Sequence, residues 1–148
     1  DKVFSQNFEA DVNAVREFLP MIKKSKGNIL FISSIAGIEA FGAPVDYSVA
    51  KTAVLSFAKN IARKLGRDQV RVNCIAPGNV YFKGGAWDDK IKADPKRISR
   101  LIEATVPMNR FAKPKEIADA ALFLCSERAS FITGAVLCVD GGQTATLF

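Results

Sequence analysis

The sequence contains no histidine and has only three cysteines among its 148 residues. Without histidine, it lacks the commonest general base at neutral pH and the commonest metal ligand. Cys74, Cys125 and Cys138 are widely separated and form no C-x-x-C pair, so the sequence predicts no metal site. Because each cysteine lies in an apolar run, we expect three buried free thiols and a reducing, cytoplasmic setting.

Long apolar runs are also missing. No run approaches the roughly 18 residues that a membrane-spanning helix needs, and no signal peptide is visible. The formal net charge is +6, but the basic side chains are scattered and acidic residues lie among them. This pattern favours a solvated surface over a nucleic-acid footprint, so we expect neither a membrane nor a nucleic acid as partner.

Helical and strand patterns alternate along the chain, which predicts right-handed βαβ units and a parallel sheet. Three strands make a small sheet, so we expect residues 1–148 to form one partial α/β domain of a larger protein. The helical patterns cover about 5–24, 45–65, 95–104 and a stretch beginning at Pro114, and the strand patterns cover 28–33, 70–75 and 135–139.

The segment DYSVAK, residues 46–51, places Tyr47 four positions before Lys51. On a helix these side chains lie on one face. An ammonium group beside a phenol favours the phenolate, so the pair could exchange a proton with a substrate oxygen near neutral pH. A surface tyrosine beside a solvated lysine is the alternative.

Other polar groups and turns fall at the carboxyl ends of the predicted strands, where doubly wound sheets bind their ligands. Ser34 follows the first strand, and Pro77-Gly78 follows the second. Each has a simpler interpretation, as a cap or a plain turn, but together they predict a site at one sheet edge. Beyond them, a polar and irregular stretch over about 81–107 predicts a functional loop or lid.

These motifs resemble the short-chain dehydrogenase/reductase family over essentially the whole chain. GNILFISSIAG is similar to the family's strand that leads to a catalytic serine, and YSVAK matches its Y-x-x-x-K signature. VRVNCIAPGNV and the segment from Pro107 to Gly142 are similar to the family's later regions. The resemblance implies the C-terminal part of a doubly wound Rossmann-type sheet and an NAD- or NADP-dependent oxidoreductase.

The resemblance also implies the roles of four catalytic residues. Tyr47 would exchange the substrate's proton, and Ser34 would hold the carbonyl oxygen. Lys51 would support the phenolate and bind the nicotinamide ribose. Asn7, thirteen residues before Pro20, would bind a water that links Lys51 to solvent, with Asn13 as a weaker candidate.

Further residues would contact cofactor and substrate. In the family, the backbone after Pro77-Gly78, here including Val80, meets the nicotinamide carboxamide, and a threonine usually stands where this chain has Phe82. Substrate contacts are expected from Ser34 and, within the lid, from Phe82 and Trp87. Trp87 could instead serve only to anchor the lid.

The family's glycine-rich phosphate turn, T-G-x-x-x-G-x-G, is absent from this chain. An inactive fragment or an assembly module is therefore the alternative to the enzyme. As an enzyme, the chain most resembles the 3-oxoacyl-[acyl-carrier-protein] reductase group, although sugar, polyol or steroid dehydrogenases would look similar here. The implied partners are a small carbonyl or alcohol substrate, which could be carrier-protein-bound, and further copies of the chain in a homodimer or homotetramer.

Overall fold

The computed structural model describes residues 2–146, which form a parallel sheet with helices on both faces. The helices are α1 (Lys2–Phe4), α2 (Ala10–Ser25), α3 (Val45–Leu65), α4 (Ala86–Ala93), α5 (Pro95–Thr105) and α6 (Pro114–Cys125), and the strands are β1 (Asn28–Ile32), β2 (Arg71–Pro77) and β3 (Val136–Val139). The predicted partial α/β architecture is confirmed. No helix among these residues is long and apolar enough to cross a membrane.

The sheet has the order β1-β2-β3, and both strand pairs are parallel. The middle strand is buried from Val72 to Ala76, as expected for a parallel strand covered on both faces. Phe31 pairs with Cys74, and both pack against α3. Ile32 points to the opposite face and shares a pocket with Ile117 and other residues of α6.

Helix α3 packs closely on the sheet because its inward positions are small or branched. Val54, Ala58, Ala62 and Leu65 recur at helical spacing and are buried against the sheet. Small side chains let the helix backbone approach the strands, and this fixes the start of α3 near the carboxyl ends of β1 and β2. The bounds 45–65 predicted for this helix are confirmed.

The first helical region contains a feature that its apolar periodicity did not predict. Between α1 and α2, residues Ser5–Glu9 form a π-helical turn. Helix α2 also continues through Pro20 to Ser25, and the residue that caps it, Lys26, has a φ of 51°. The end predicted for this helical pattern, at about residue 24, is therefore confirmed to within one residue. The apolar stripe continues to Ile22, which packs on the core and holds the last turn.

The lid is more regular than the sequence indicated. Helix α5 was predicted, but α4 was not, and the interpretation of this stretch as irregular is wrong. Ile98, Ile102 and Val106 form a second apolar cluster, with Trp87 and Phe111 among the side chains packed against it. The lid thus carries a small core of its own.

The expectation of three buried thiols is also wrong. Cys74 is buried in β2 and Cys138 is half-buried, but Cys125 is exposed. Cys125 is the last residue of α6. Within the described part of the chain, no group of three or more acidic or cysteine side chains could hold a metal ion.

Candidate active site

A cavity of about 920 Å³ opens beyond the carboxyl ends of β1 and β2. Five of the residues singled out from the sequence line it: Asn7, Ser34, Tyr47, Gly78 and Trp87. They come from the π-helical turn, the loop after β1, the start of α3, the turn after β2 and helix α4. The fold therefore brings together residues that are up to 80 positions apart in sequence.

The two adjacent serines have different environments. Ser33 is buried, and its hydroxyl donates to the Lys51 carbonyl at 2.8 Å. Ser34 lines the cavity, and its oxygen accepts a hydrogen bond from the Ala36 N–H at 3.1 Å. A serine hydroxyl has one proton to donate. Because this bond uses only an acceptor site of Ser34, its proton remains available to a ligand oxygen.

Tyr47 and Lys51 lie one turn apart near the start of α3, as predicted. The Lys51 ammonium nitrogen is 5.7 Å from the centre of the Tyr47 ring. It donates to the Ile32 carbonyl at 3.1 Å. Burial lowers the pKa of Lys51, while the nearby Asp11 and Cys74 oppose that shift. The cation thus lies over the Tyr47 ring, although Lys51 does not itself line the cavity.

A close backbone contact fixes this part of α3. A Cβ atom at Gly37 would lie 2.7 Å from the Lys51 carbonyl carbon, so no side chain fits there. The Thr52 hydroxyl also donates to the Gly37 carbonyl at 2.9 Å. Together with the bond from Ser33, these contacts anchor the helix turn that follows Tyr47. Sequence reasoning missed this anchor, although the glycine in SSIAG was a signal for it.

Asn7 lies in the π-helical turn and reaches the cavity. Its side-chain nitrogen donates to the Val3 carbonyl at 2.9 Å, a bond that holds the amide across the irregular turn. π-helical turns often occur at functional sites. The weaker candidate, Asn13, is exposed on α2 and accepts a bond from Arg16 at 3.3 Å. The geometry therefore favours Asn7.

The residues expected to meet the cofactor separate into two groups. Gly78 lines the cavity and approaches Asp140 so closely that an added Cβ would lie 2.8 Å from the Asp140 Cα. Pro77 and Val80 instead line a neighbouring apolar pocket of about 380 Å³, which also includes Ile32.

Phe82 lines that same apolar pocket and not the cavity that contains Ser34 and Tyr47. Its ring lies against Gly85, where an added Cβ would be 2.7 Å away. The structure therefore places Phe82 apart from the other expected substrate residue of the lid, Trp87.

Trp87 lines the cavity and also packs on the lid core, 5.2 Å from the Phe111 ring. Both interpretations of this residue therefore have structural support. The following residue, Asp88, is buried and accepts bonds from the Tyr81 hydroxyl, the Gly84 N–H and the Lys92 ammonium. The hydrogen bond from Lys92, followed by that from Gly84, lowers the pKa of Asp88 to about 2.

Sequence reasoning also missed Gln143, which lines the cavity. Its side-chain oxygen is buried and has no hydrogen-bond partner among the described residues. Nearly all buried polar atoms in proteins have partners, so an unpaired acceptor beside a ligand cavity is noteworthy. A lone glutamine after Asp140-Gly141-Gly142 gave no signal in the sequence.

A parallel sheet with helices on both faces and a cavity at the carboxyl ends of its strands defines a Rossmann-type α/β fold. A family model described as enoyl-(acyl carrier protein) reductase matches residues 1–144. The chain belongs to the short-chain dehydrogenase/reductase family.

Individual relatives agree with this assignment. Dehydrogenase/reductase SDR family member 4 of Bos taurus is 38% identical over 99% of this chain and 52% of that protein. The 3-oxoacyl-[acyl-carrier-protein] reductase FabG of Chlamydia trachomatis is 41% identical over 84% of this chain and 48% of its own length. L-sorbose reductase from Gluconobacter frateurii, solved with NADPH and L-sorbose, is 31% identical with a TM-score of 0.86, covering 94% and 56% of the two chains. The chain thus spans about half the length of the relatives it matches.

Proposed function

We propose that this chain supplies the proton-transfer and substrate-binding part of an NAD- or NADP-dependent oxidoreductase that interconverts a small carbonyl compound and its alcohol. The observation that carries the proposal is the placement of Asn7, Ser34 and Tyr47 around one cavity. Lys51 lies one helical turn after Tyr47 on α3, with its ammonium 5.7 Å from the centre of the ring.

Each side chain has a definite task in this proposal. Ser34 donates its hydroxyl proton in a hydrogen bond to the substrate oxygen. Tyr47 gives a proton to that oxygen during reduction, or takes it during oxidation. The Lys51 ammonium stabilises the phenolate that remains. The Asn7 amide binds a water molecule that links Lys51 to solvent.

The residues present fit the nicotinamide end of a dinucleotide. The cofactor supplies or accepts the hydride when bound. Ile32, Pro77 and Val80 offer an apolar surface beside the cavity, and Gly78 brings the backbone close to it. The chain contains no glycine-rich turn for the phosphates, so these residues hold only one end of the cofactor.

More specifically, we propose a reductase of the 3-oxoacyl-[acyl-carrier-protein] type. This proposal is supported by the 41% identity to FabG. A carrier-bound substrate would suit the open cavity and the basic chain, whose net charge is +6. We also propose a homodimer or homotetramer. This is supported by exposed apolar side chains on α3 and near the C-terminal strand, including Val45, Val49, Phe131 and Val136.

Replacement of Tyr47 by phenylalanine tests the catalytic assignment. The variant loses the exchangeable proton but keeps the ring, so we expect turnover to fall by at least about 100-fold while the fold is retained. The measurement is NADH or NADPH oxidation by the purified full-length protein with a small ketone or a 3-oxoacyl ester. Circular dichroism of the same sample reports the fold.

The matched control is Tyr81→Phe, because Tyr81 bonds to Asp88 within the lid and does not line the cavity. We expect it to keep most of its activity. Near-normal turnover in Tyr47→Phe would overturn the proposed role of that residue. An equal loss in both variants would point to a general structural effect instead.

The second candidate is an assembly module without activity of its own. It is favoured by the absence of a phosphate-binding turn from this chain. A fluorescence titration of the 148-residue chain with NADH and NADPH separates the two. Micromolar binding would exclude the inactive module, whereas no binding by this chain but turnover by the full-length protein would identify it as one half of the active unit.

A further inference from the structure

One wall of the cavity belongs to the two lid helices. Trp87 and Lys90 are three residues apart on α4, and Arg97, Leu101 and Thr105 are spaced by four on α5; all five line the cavity. Residues three or four apart share a helix face. Each lid helix therefore presents one face to the space that Ser34 and Tyr47 also line.

This wall continues outwards into a groove of about 510 Å³ between α4 and α5. Trp87, Lys90, Arg97 and Leu101 line both spaces, whereas Thr105 lines only the cavity and Arg100 only the groove. The four shared residues thus mark the passage between them. Along α5, Arg97 is about 12 Å from Thr105 at the usual helical rise.

Cations outnumber carboxylates along these two spaces, which Lys90, Arg97 and Arg100 line. Lys90 and Arg97 form no ion pair among residues 2–146; the Lys90 ammonium lies 4.5 Å from the centre of the Trp87 ring. Two carboxylates face these spaces. Asp94 accepts the Arg97 backbone N–H at 3.0 Å, and Asp46 accepts the Tyr47 backbone N–H at 2.9 Å. Both acids are engaged in binding backbone groups at helix starts.

We infer that Lys90 and Arg97 bind an anionic oxygen group, a carboxylate or a phosphate, at the far end of an extended substrate whose carbonyl lies at Ser34 and Tyr47. The guanidinium fork of Arg97 matches the paired oxygens of such groups. Trp87 and Leu101 provide an apolar wall for the chain between the two ends. The position of the carbonyl rests on the proposed function, but the anion site stands on the lid alone.

Trp87 makes direct measurement of binding possible, because it is the sole tryptophan of the sequence. Its fluorescence would be followed while the 148-residue chain, without cofactor, is titrated with 7-oxooctanoate and with the methyl ester of that acid. The two ligands share the carbonyl and the chain but differ in charge. We expect the acid to bind about three- to tenfold more tightly than the ester, which is the usual size of the effect of an exposed charge-assisted contact.

The same titrations on two variants locate the effect. Arg97→Gln removes the cation from the passage, whereas Lys96→Gln removes the same charge from an exposed neighbouring position that lines neither space. We expect Arg97→Gln to lower the preference for the acid over the ester, because only Lys90 then remains to bind the anion. Lys96→Gln should keep that preference within about twofold, since a screened surface charge has only a weak effect.

Equal binding of acid and ester by the unmodified protein would overturn the inference, as would an equal loss of preference in both variants. A titration with 7-oxooctyl phosphate distinguishes a carboxylate from a phosphate as the anionic group. The anion that binds more tightly is the one that the site recognises. Binding of the acid without any turnover would leave the anion site intact and count against the proposed function instead.

Discussion

At the residue scale, single backbone contacts position the candidate catalytic groups. Gly37 lets the loop after β1 touch α3 at Lys51, and Ser33 bonds to the same turn. Neither residue lines the cavity, and the proposed chemistry requires neither of them as a ligand contact. Their positions nevertheless decide where Tyr47 and Lys51 lie, so the geometry of the site depends on residues that do no chemistry.

Replacement of Gly37 by alanine tests this contact. The new Cβ would lie 2.7 Å from the Lys51 carbonyl carbon and 2.9 Å from the Thr52 nitrogen, and these backbone atoms cannot move independently. We expect the free energy of unfolding to fall by about 1–3 kcal/mol, as for overpacking in a core. Urea unfolding followed by circular dichroism gives this value.

The control for Gly37 is Gly66→Ala. An added Cβ at Gly66 meets nothing within 4 Å, and its φ of −57° suits any residue. This variant should be neutral or more stable by about 0.4–1 kcal/mol. If Gly37→Ala were equally harmless, the close approach would not constrain α3.

Gln143 offers a second prediction at this scale. Its buried side-chain oxygen has no partner within residues 2–146, which costs about 1–3 kcal/mol in the unliganded state. We therefore expect Gln143→Leu to raise the free energy of unfolding by about 1 kcal/mol. Gln143→Glu should lower it, because an unpaired buried charge costs more than an unpaired amide. Matched urea curves decide, and a less stable leucine variant would contradict the argument.

At the element scale, the lid is held by one buried carboxylate. Asp88 joins the loop at Tyr81 and Gly84 to Lys92 near the end of α4. Because it accepts bonds from three directions, it fixes the first turn of the helix that carries Trp87. The lid is therefore expected to respond to the charge of this single group.

The pH dependence of the lid follows from Asp88. Its pKa is lowered from 3.8 to about 2 by the bonds from Lys92 and Gly84. Because the pKa of Asp88 is lower in the folded lid, the ionised carboxylate stabilises the fold at pH values above the ordinary pKa of an aspartate. This stabilisation is lost as the pH falls towards the pKa that Asp88 has in the folded lid. We expect Trp87 fluorescence to be constant down to about pH 4 and to change between about pH 4 and pH 2.

Asp88→Asn removes the titrating group, so its Trp87 emission should already differ at neutral pH and should lack that transition. The control is Asp89→Asn, an exposed neighbour in the same helix, which should behave like the unmodified chain. An unchanged emission in Asp88→Asn would show that the carboxylate does not hold the lid.

Elements with strong local signals were the ones that the sequence could predict. Helix α3 has a proline before it, an acidic first turn, an apolar stripe and a following glycine, and its bounds agree with the prediction. Helix α4 has eight residues, of which four are charged, so its pattern was too short and polar to detect. The π-helical turn around Asn7 depends on tertiary packing, which sequence periodicity does not record.

The residues of the site also divide into those that the sequence could place and those that it could not. Ser34, Tyr47 and Gly78 could be placed at one sheet edge because the carboxyl ends of parallel strands meet there. The separation of Phe82 from Trp87 could not be predicted, since it depends on how the lid folds on its own core. The bonds that engage Ser33 and Asp88 are equally invisible in the sequence.

At the scale of the whole molecule, β1 is an edge strand of the described sheet. The Ser33 N–H donates to Ile75, and the Arg71 N–H donates to the Gly27 carbonyl. In a parallel pair, every second residue of a strand directs its backbone N–H to the same neighbouring strand. The N–H groups of Ile29 and Phe31 therefore also donate towards β2. The N–H groups of Leu30 and Ile32 therefore face the open edge, next to a groove lined by α2.

Amide hydrogen exchange on the 148-residue chain tests whether this edge is covered in solution. We expect slow exchange at Ile29 and Phe31 and fast exchange at Leu30 and Ile32, because exchange follows the opening of hydrogen bonds. Protection of Leu30 and Ile32 that grows with protein concentration would instead show edge pairing between copies. Equal exchange at all four amides of the 148-residue chain, at a concentration where no such pairing occurs, would contradict the register of β1 and β2.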